Sequence, residues 1–274
     1  PPRRGPFMKG AGDSQPAVWR WPPCEIGYSC PMLRFFSIAA LALILGASAA
    51  ASEPSPKYTS LKNDELLDFR YSFPTLVGSY PELLSRIEAD RSVSYTEAVD
   101  GARRDAESRA EEPPVTSFHP HDFWRDWTVA GQTDRLIALR SHTERFTGGA
   151  HGNRNSGLMV WDKERKAALT FDALFIDRAG YWSVIKDDYC KDLIAERVRR
   201  TFDAIADCSS PKDLVLVPVD TDSNWAFDTI HVIADPYVAG AYVEGTYEIA
   251  FPVDAAFISH LKPEYRSSFE IQPQ

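Results

Sequence analysis

The chain has 274 residues, of which 44% are hydrophobic and 25% are charged, as expected for a globular protein with a sizeable core. Its formal net charge is −9 at pH 7. Residues 1–51 carry +3, because five Arg and Lys oppose two acidic residues, which leaves −12 for residues 52–274. An acidic surface argues against nucleic acid and anionic membranes as partners, and it is compatible with a basic protein partner.

The segment 32–51 has the parts of a secretory signal peptide. Met32-Leu33-Arg34 is a short basic start, Phe35–Leu45 is an apolar run, and Ala47–Ala51 offers A-x-A cleavage sites. The apolar run is short for a membrane-spanning helix, although an N-terminal anchor helix is the alternative. We therefore expect a periplasmic or secreted protein that is not an integral membrane protein once processed, with residues 1–31 as upstream sequence.

The remaining chain alternates between strand and helix patterns. After a polar lead-in over residues 52–60, Leu67, Phe69, Tyr71 and Phe73 fall on one face of a half-buried strand. The predicted elements in chain order are a strand over Leu66–Phe73, a helix from Pro81 to Pro113-Pro114, strands over Phe123–Ala130, Leu136–Arg145 and Leu158–Trp161, a helix from Tyr181 to about Ala206, strands over Leu214–Val219, Asn224–Ile233 and Val243–Phe251, and a helix over Ala255–Leu261.

This order predicts an α+β fold with mostly antiparallel sheets and helices packed on them, because the strands fall in clusters and not in a repeating βαβ order. We place a boundary near residue 165, so that two coupled subdomains cover residues 52–165 and 166–274.

Two of the four cysteines, Cys24 and Cys30, precede the signal-like segment. Cys190 and Cys208 remain, and two cysteines in an exported protein suggest one disulfide. The alternative is a pair of free buried thiols.

The stretch Arg145–Asn153 reads RFTGGAHGN and is followed by Trp161-Asp162 and by LTFDALF at residues 169–175. These residues resemble the Tyr-Thr-Gly-Gly-Ala-His block of PdaC/RsiV-like domains in bacterial cell-envelope proteins, with Phe146 in place of the tyrosine. Pro236–Gly240 and Glu248–Pro252 resemble the second half of the same unit. The resemblance covers about residues 60–262.

The resemblance implies an extracytoplasmic location and a binding role without catalysis. Family members include the part of an anti-sigma factor that senses lysozyme and an accessory domain of a peptidoglycan deacetylase. We expect an envelope protein or a peptidoglycan fragment as partner, and no cofactor or metal. The candidate binding residues fall in two groups. Thr147, Gly148, Gly149 and His151 belong to the glycine block, and Asp235, Tyr237 and Tyr242 form a candidate rim.

Two enzymatic or metal-dependent alternatives stay open. A hydrolase acting on cell-wall polymer could use His151 as a base with Asp162 as its acid partner, although the chain has no G-x-S-x-G elbow. A metal site could use His119 and His121 with His142 or His151. Against both, the glycines most simply supply a sharp bend between strands, with His151 bonded to the backbone.

Overall fold

A computed structural model gives the structure of residues 57–111, 118–201 and 208–272. The predicted signal peptide and the first cysteine pair lie outside these residues. So does the end of the predicted second helix, beyond residue 201. No helix among the described residues is long and apolar enough to cross a membrane. All described residues belong to one compact unit, Ser52–Gln274, and the boundary near residue 165 stays a prediction.

The structure confirms the predicted α+β class, with two sheets and three α-helices among the described residues. The strands are β1 Lys57–Asn63, β2 Leu67–Pro74, β3 His121–Gln132, β4 Leu136–Phe146, β5 Asn153–Asp162, β6 Ala167–Leu169, β7 Val215–Val219, β8 Thr229–Ala234 and β9 Tyr247–Pro252. The helices are α1 Pro81–Glu111, α2 Arg178–Thr201 and α3 Ala255–His260.

The first sheet runs in the order β1-β2-β3-β4-β5-β6, and each neighbouring pair is antiparallel except β2 and β3. Those two strands are parallel, with Leu67 opposite His121, and α1 makes the crossover between them. A parallel pair requires such a long connection, whereas antiparallel neighbours need only a turn.

Alternating side chains of β4 face two different cores. Ile137 and Leu139 pack in one core with Leu83 and Ile87 of α1. Their sequence neighbours Leu136 and Ala138 belong to the other core. Because strand side chains alternate between faces, β4 separates the two cores.

The second core joins the three-stranded sheet β7-β8-β9 to α2 and α3. On α2, Tyr181, Ile185, Tyr189 and Leu193 recur every four residues and are buried in it. A bidentate pair links the sheets, with the Arg140 guanidinium donating to both oxygens of Glu248 at 2.7 and 2.8 Å.

The structure differs from the predicted strand pattern at several places, and β5 begins at Asn153, five residues before the predicted Leu158. Lys57–Asn63 forms β1, although the polar residues 52–60 were expected to be a lead-in without structure. Asn224–Asp228 is a loop, since β8 begins only at Thr229. Residues Tyr242–Glu244 form a 3-10 turn, and β9 begins at Tyr247.

Candidate binding site

The glycine block is the turn between β4 and β5. Strand β4 ends at Phe146 and β5 begins at Asn153. Gly148 and Gly149 have φ angles of 88° and 99°, in the region that glycine adopts far more readily than residues with a Cβ. The expected glycine-dependent bend is therefore present, and it holds the next residues at the edge of the first sheet.

His151 is exposed at the end of this turn and has two hydrogen bonds. Its Nδ1 lies 2.9 Å from the carbonyl oxygen of Gly152, which can only accept, so Nδ1 carries the proton. In a neutral ring, Nε2 is then an acceptor, and it lies 3.0 Å from the hydroxyl of Tyr237. The ring also stacks on Tyr242, with 3.7 Å between centroids and 14° between planes. The histidine thus joins two tyrosines that are distant in sequence.

The tyrosines come from the loop that connects β8 to β9. Asp235 anchors its start, because its carboxylate accepts from the Ser156 amide at 2.6 Å and from the Ser156 hydroxyl at 2.8 Å. Tyr237 has a φ of 72°, a costly conformation for a residue with a Cβ, and its side chain is 63% exposed. A strained and exposed aromatic residue is a candidate for ligand contact.

The end of α2 holds the second half of the same loop. The Arg200 guanidinium donates to the carbonyl oxygens of Glu244 and Thr246 at 2.8 and 2.9 Å. The Glu244 carboxylate in turn accepts from the Ala241 amide at 2.7 Å and from the Tyr247 hydroxyl at 2.5 Å. These contacts fix the backbone on both sides of Tyr242.

The predicted disulfide supports this region as well. Cys190 of α2 is bonded to Cys208, with Cα atoms 5.4 Å apart. The next residue, Ser209, donates through its hydroxyl to the carbonyl oxygen of Val238 at 3.1 Å. Val238 directly follows Tyr237 in the loop between β8 and β9. The residue after Cys208 therefore holds this loop through a hydrogen bond.

A cleft of about 300 Å³ opens beside the stacked pair. Its lining combines aromatic rings, carboxylates and guanidinium groups, contributed by Asp122, Trp124, Glu144, Arg145, Phe146, Gly152, Asn153, Arg154 and Tyr242. Trp124 meets His142 edge to face, with 5.6 Å between centroids. The Arg154 Nε donates to the Glu144 carboxylate at 2.8 Å.

The structure brings together His151, Tyr237 and Tyr242 from the predicted set. Asp235 lies beneath them, and its carboxylate bonds Ser156, so its role is to position the loop. Thr147 lines a different depression, of about 200 Å³, on the α1 side of the sheet. Gly148 and Gly149 supply the bend and no side chain.

Sequence reasoning missed the part of the cleft that lies on the sheet. Asp122 and Trp124 are two residues apart on β3 and share one face, and Glu144 lies directly opposite Trp124 on β4. The available signal was the run of polar residues at alternate positions of β3 and β4, on the face opposite the buried Phe123.

The proposed pairing of His151 with Asp162 is wrong. His151 lies just before β5 and Asp162 is its last residue, and the nine steps from Asn153 to Asp162 span about 30 Å at a rise of about 3.3 Å per residue. Asp162 is 0% exposed and bonds Arg135 and Tyr265. Since Gly152 and Tyr237 supply the hydrogen bonds of the His151 ring, a catalytic carboxylate partner for it is not present among the described residues.

The proposed histidine metal site is wrong as well. His121 is buried on the α1 side of β3, where its Nε2 lies 3.2 Å from a carboxylate oxygen of Asp105. His142 pairs in register with Asp126 and lies on the opposite face of the sheet, while His119 is exposed before β3. Within the described ranges, the one group of three residues close enough to share an ion is Asp222, Asp228 and Glu270, none of which belonged to the prediction.

The pKa values of two carboxyl groups near the sheet junction and the cleft, Glu248 and Asp122, shift in opposite directions. Hydrogen bonding to His231 and to Arg140 lowers the pKa of Glu248 to about 2, against an opposing contribution from burial. Asp122 is an exposed residue, and partial desolvation of its carboxyl group raises its pKa, with the neighbouring Asp68 adding to the increase. The first group is stabilised as an anion between the two sheets, whereas the second is destabilised as an anion in the cleft.

Residues 60–154 match the family model described as Deacetylase PdaC. The resemblance expected from the glycine block is confirmed over these residues. No curated protein matches the chain.

Two solved structures are similar in fold, and both are described as DUF3298 family proteins. The one from Bacteroides fragilis NCTC 9343 has a TM-score of 0.48 and 15% identity, over 78% of this chain and 95% of that one. The one from Pseudomonas aeruginosa PAO1 has a TM-score of 0.47 and 16% identity, over 77% of this chain and 96% of that one.

Proposed function

We propose that the protein is an exported, non-enzymatic binding module of the bacterial cell envelope, and that its ligand is a peptidoglycan-derived glycan. The observation that carries the proposal is the stacked pair His151–Tyr242 at the rim of a cleft that also contains Trp124. Aromatic rings bury the apolar faces of sugar rings, and nearby charged groups bond the hydroxyls.

Export is supported by the signal-like segment at residues 32–51 and by the Cys190–Cys208 disulfide. Disulfides persist outside the reducing cytosol, so the bonded pair fits a periplasmic or secreted protein. The family model that residues 60–154 match carries the name of a deacetylase, and we do not extend that activity to this chain. A hydrolase would need a partner for His151 other than Gly152 and Tyr237.

The test measures binding of the purified protein to insoluble peptidoglycan by co-sedimentation, and to soluble glycan fragments by calorimetry. Tyr242→Ala and Trp124→Ala should each weaken binding about tenfold or more, equivalent to about 1.4 kcal/mol, as expected for aromatic residues at the centre of a site. Trp225→Ala is the matched control. Trp225 is exposed, but it lies beside Lys163, at the opposite end of β5 from the cleft.

Unchanged binding in both cleft variants, or equal losses in the Trp225 control, would refute the glycan proposal. An acidic protein could also bind a basic protein of the envelope, such as a lysozyme. A lysozyme complex in gel filtration that Tyr242→Ala abolishes, together with no glycan binding, would replace the glycan by a protein ligand.

A further inference from the structure

Asp122 differs from Glu144, the other carboxylate of the cleft. Within the part of the chain that the structure describes, its carboxylate has neither a hydrogen bond nor an ion pair. We infer that the cleft selects a saccharide with a primary ammonium group on its ring, an N-deacetylated amino sugar, and that Asp122 determines this specificity. The inference rests on the proposed glycan-binding function and names its ligand class.

Glu144, the other carboxylate of the lining, already has charged partners. Glu144 accepts from the Arg154 Nε at 2.8 Å and lies 3.2 Å from the His142 Nε2. The Arg145 guanidinium lies over the Phe123 ring, 4.9 Å from its centroid. Phe123 is buried on the α1 side, opposite in register to Arg145. Asp122 is therefore the carboxylate in the lining that a cationic ligand can still neutralise.

Asp68 makes the binding of a cation next to Asp122 more favourable. It lies directly opposite Asp122 on the parallel neighbour β2, and the two side chains share one face of the sheet. Like charges opposite each other are unfavourable, and the raised pKa of Asp122 reflects its partial desolvation first and then the charge of Asp68. An ammonium group bound at Asp122 would relieve this repulsion and donate up to three hydrogen bonds.

The spacing on β3 places the ammonium group on the sugar ring itself. Asp122 and Trp124 are two residues apart on one strand face, which separates their Cα atoms by about 6.6 Å. A sugar ring that packs on Trp124 would bring a substituent attached directly to it within reach of Asp122. An acetylated nitrogen is larger and uncharged, so it would leave the carboxylate without a counter-charge.

The experiment compares three ligands by calorimetry: a glucosamine oligomer, an N-acetylglucosamine oligomer of the same length, and an N-acetylated muropeptide with a free amine on its peptide. The wild-type protein should bind the glucosamine oligomer about tenfold more tightly than its acetylated counterpart, the scale of one hydrogen bond to a charged group. Asp122→Asn keeps the shape of the side chain and should reduce this preference to less than about twofold, because the charge is lost.

Asp187→Asn is the matched control for net charge. Asp187 is exposed on α2, so the substitution removes one negative charge outside the cleft and should leave the preference intact. The preference should also persist at 0.5 M salt, where nonspecific attraction of a polycation is largely screened.

The outcomes separate the two proposals. Equal binding of both oligomers by the wild type, or an unchanged preference in Asp122→Asn, overturns the ammonium inference and leaves glycan binding standing. If the muropeptide binds more tightly than the glucosamine oligomer and Asp122→Asn removes that difference, Asp122 recognises the amine of the peptide and not that of the sugar, and the assignment is overturned. No binding of any of the three ligands removes both the inference and the proposed function.

Discussion

Replacing Asp162 by Asn tests whether this carboxylate is structural or takes part in chemistry. Its Oδ2 accepts from the Arg135 guanidinium at 3.1 and 3.3 Å and from the Tyr265 hydroxyl at 3.2 Å. Its Oδ1 accepts from the amides of Glu164 and Arg165 at 3.0 and 3.1 Å. An Asn side chain keeps one acceptor oxygen, and its amino group would face donors only.

The expected loss can be set by comparison with other buried ion pairs. Removing one partner from such a pair costs roughly 3–5 kcal/mol, because the other charge is left uncompensated. Arg135 keeps contacts to Glu164 at 3.3 Å and to the carbonyl oxygen of Glu264 at 3.0 Å, so we expect the lower end. A loss of about 3 kcal/mol should lower the melting temperature by roughly 6–12 °C in a protein of this size.

The pH dependence gives a second check on the same variant. Burial alone would raise the pKa of Asp162, but the hydrogen bonds from the Arg165 amide and the Arg135 guanidinium outweigh it and lower the pKa. A lowered pKa stabilises the fold above the unfolded value of about 3.9, and this contribution disappears as the pH falls below it. The difference in unfolding free energy between wild type and Asp162→Asn should therefore be full at pH 7 and shrink below about pH 4.

The assay is urea and thermal unfolding, with glycan binding measured on the same samples below the transition. Binding should be unchanged, since the side chain lies about 30 Å along β5 from the cleft. The exposed Asp187→Asn variant should change neither quantity. If Asp162→Asn leaves the melting temperature unchanged but abolishes glycan binding, the structural role is refuted. The carboxylate would then again be a candidate for the functional site.

Three further outcomes are expected. Replacing Cys190 and Cys208 by Ser should lower the free energy of unfolding by about 3 kcal/mol, the chain-entropy value for this loop, measured by urea denaturation against wild type with and without reductant. Asp122→Asn should raise the melting temperature slightly at pH 7, because the raised pKa of the native carboxyl group means that its ionised form destabilises the folded state. This gain should vanish below about pH 4, where the wild-type side chain is protonated in both the folded and the unfolded state. Gly149→Ala should cost about 1–2 kcal/mol through its φ of 99° alone, since a Cβ there meets no neighbouring atom, whereas Gly101→Ala inside α1 should stabilise the protein.

The fold class could be predicted because the central strands carry their own signal. In β2, Leu67, Phe69, Tyr71 and Phe73 alternate and are all buried. Period-two alternation arises when one face of a strand meets a core, so the pattern is visible without any knowledge of the neighbours. The parallel pairing of β2 with β3 has no such local signal and could not be predicted.

Edge strands and polar loops were harder to predict from the sequence, for two different reasons. β1 is mostly exposed, so its residues need no hydrophobic pattern, and it is held by β2 and by the ion pair of Lys57 with Asp126. In the stretch before β8, the buried Asp228 accepts from the Thr221 hydroxyl and amide. Such local side-chain bonds compete with strand pairing, although the apolar residues around them favoured a strand.

The candidate site could be predicted only as separate pieces. His151 was found through its glycines, and Tyr237 and Tyr242 through their residue types, but their sequence separation of at least 86 residues hid their contact. The alternating polar face that carries Asp122 and Trp124 is only a weak sequence signal, since a polar strand face is usually only solvated. Their significance depends on the strand register and on the loop that brings Tyr242 to the same cleft.

The position of this loop limits what the PdaC match can say about binding. The match ends at residue 154, just inside β5, so it includes Asp122, Trp124 and His151 and excludes Tyr242. The rim of the cleft is completed from the other side of the predicted boundary at residue 165, through the hydrogen bond of Tyr237 to His151. If residues 52–165 folded alone, they would keep the carboxylate and the tryptophan of the cleft and lose its stacked rim. A match that is confined to residues 60–154 therefore says nothing about the rim that Tyr237 and Tyr242 form with His151.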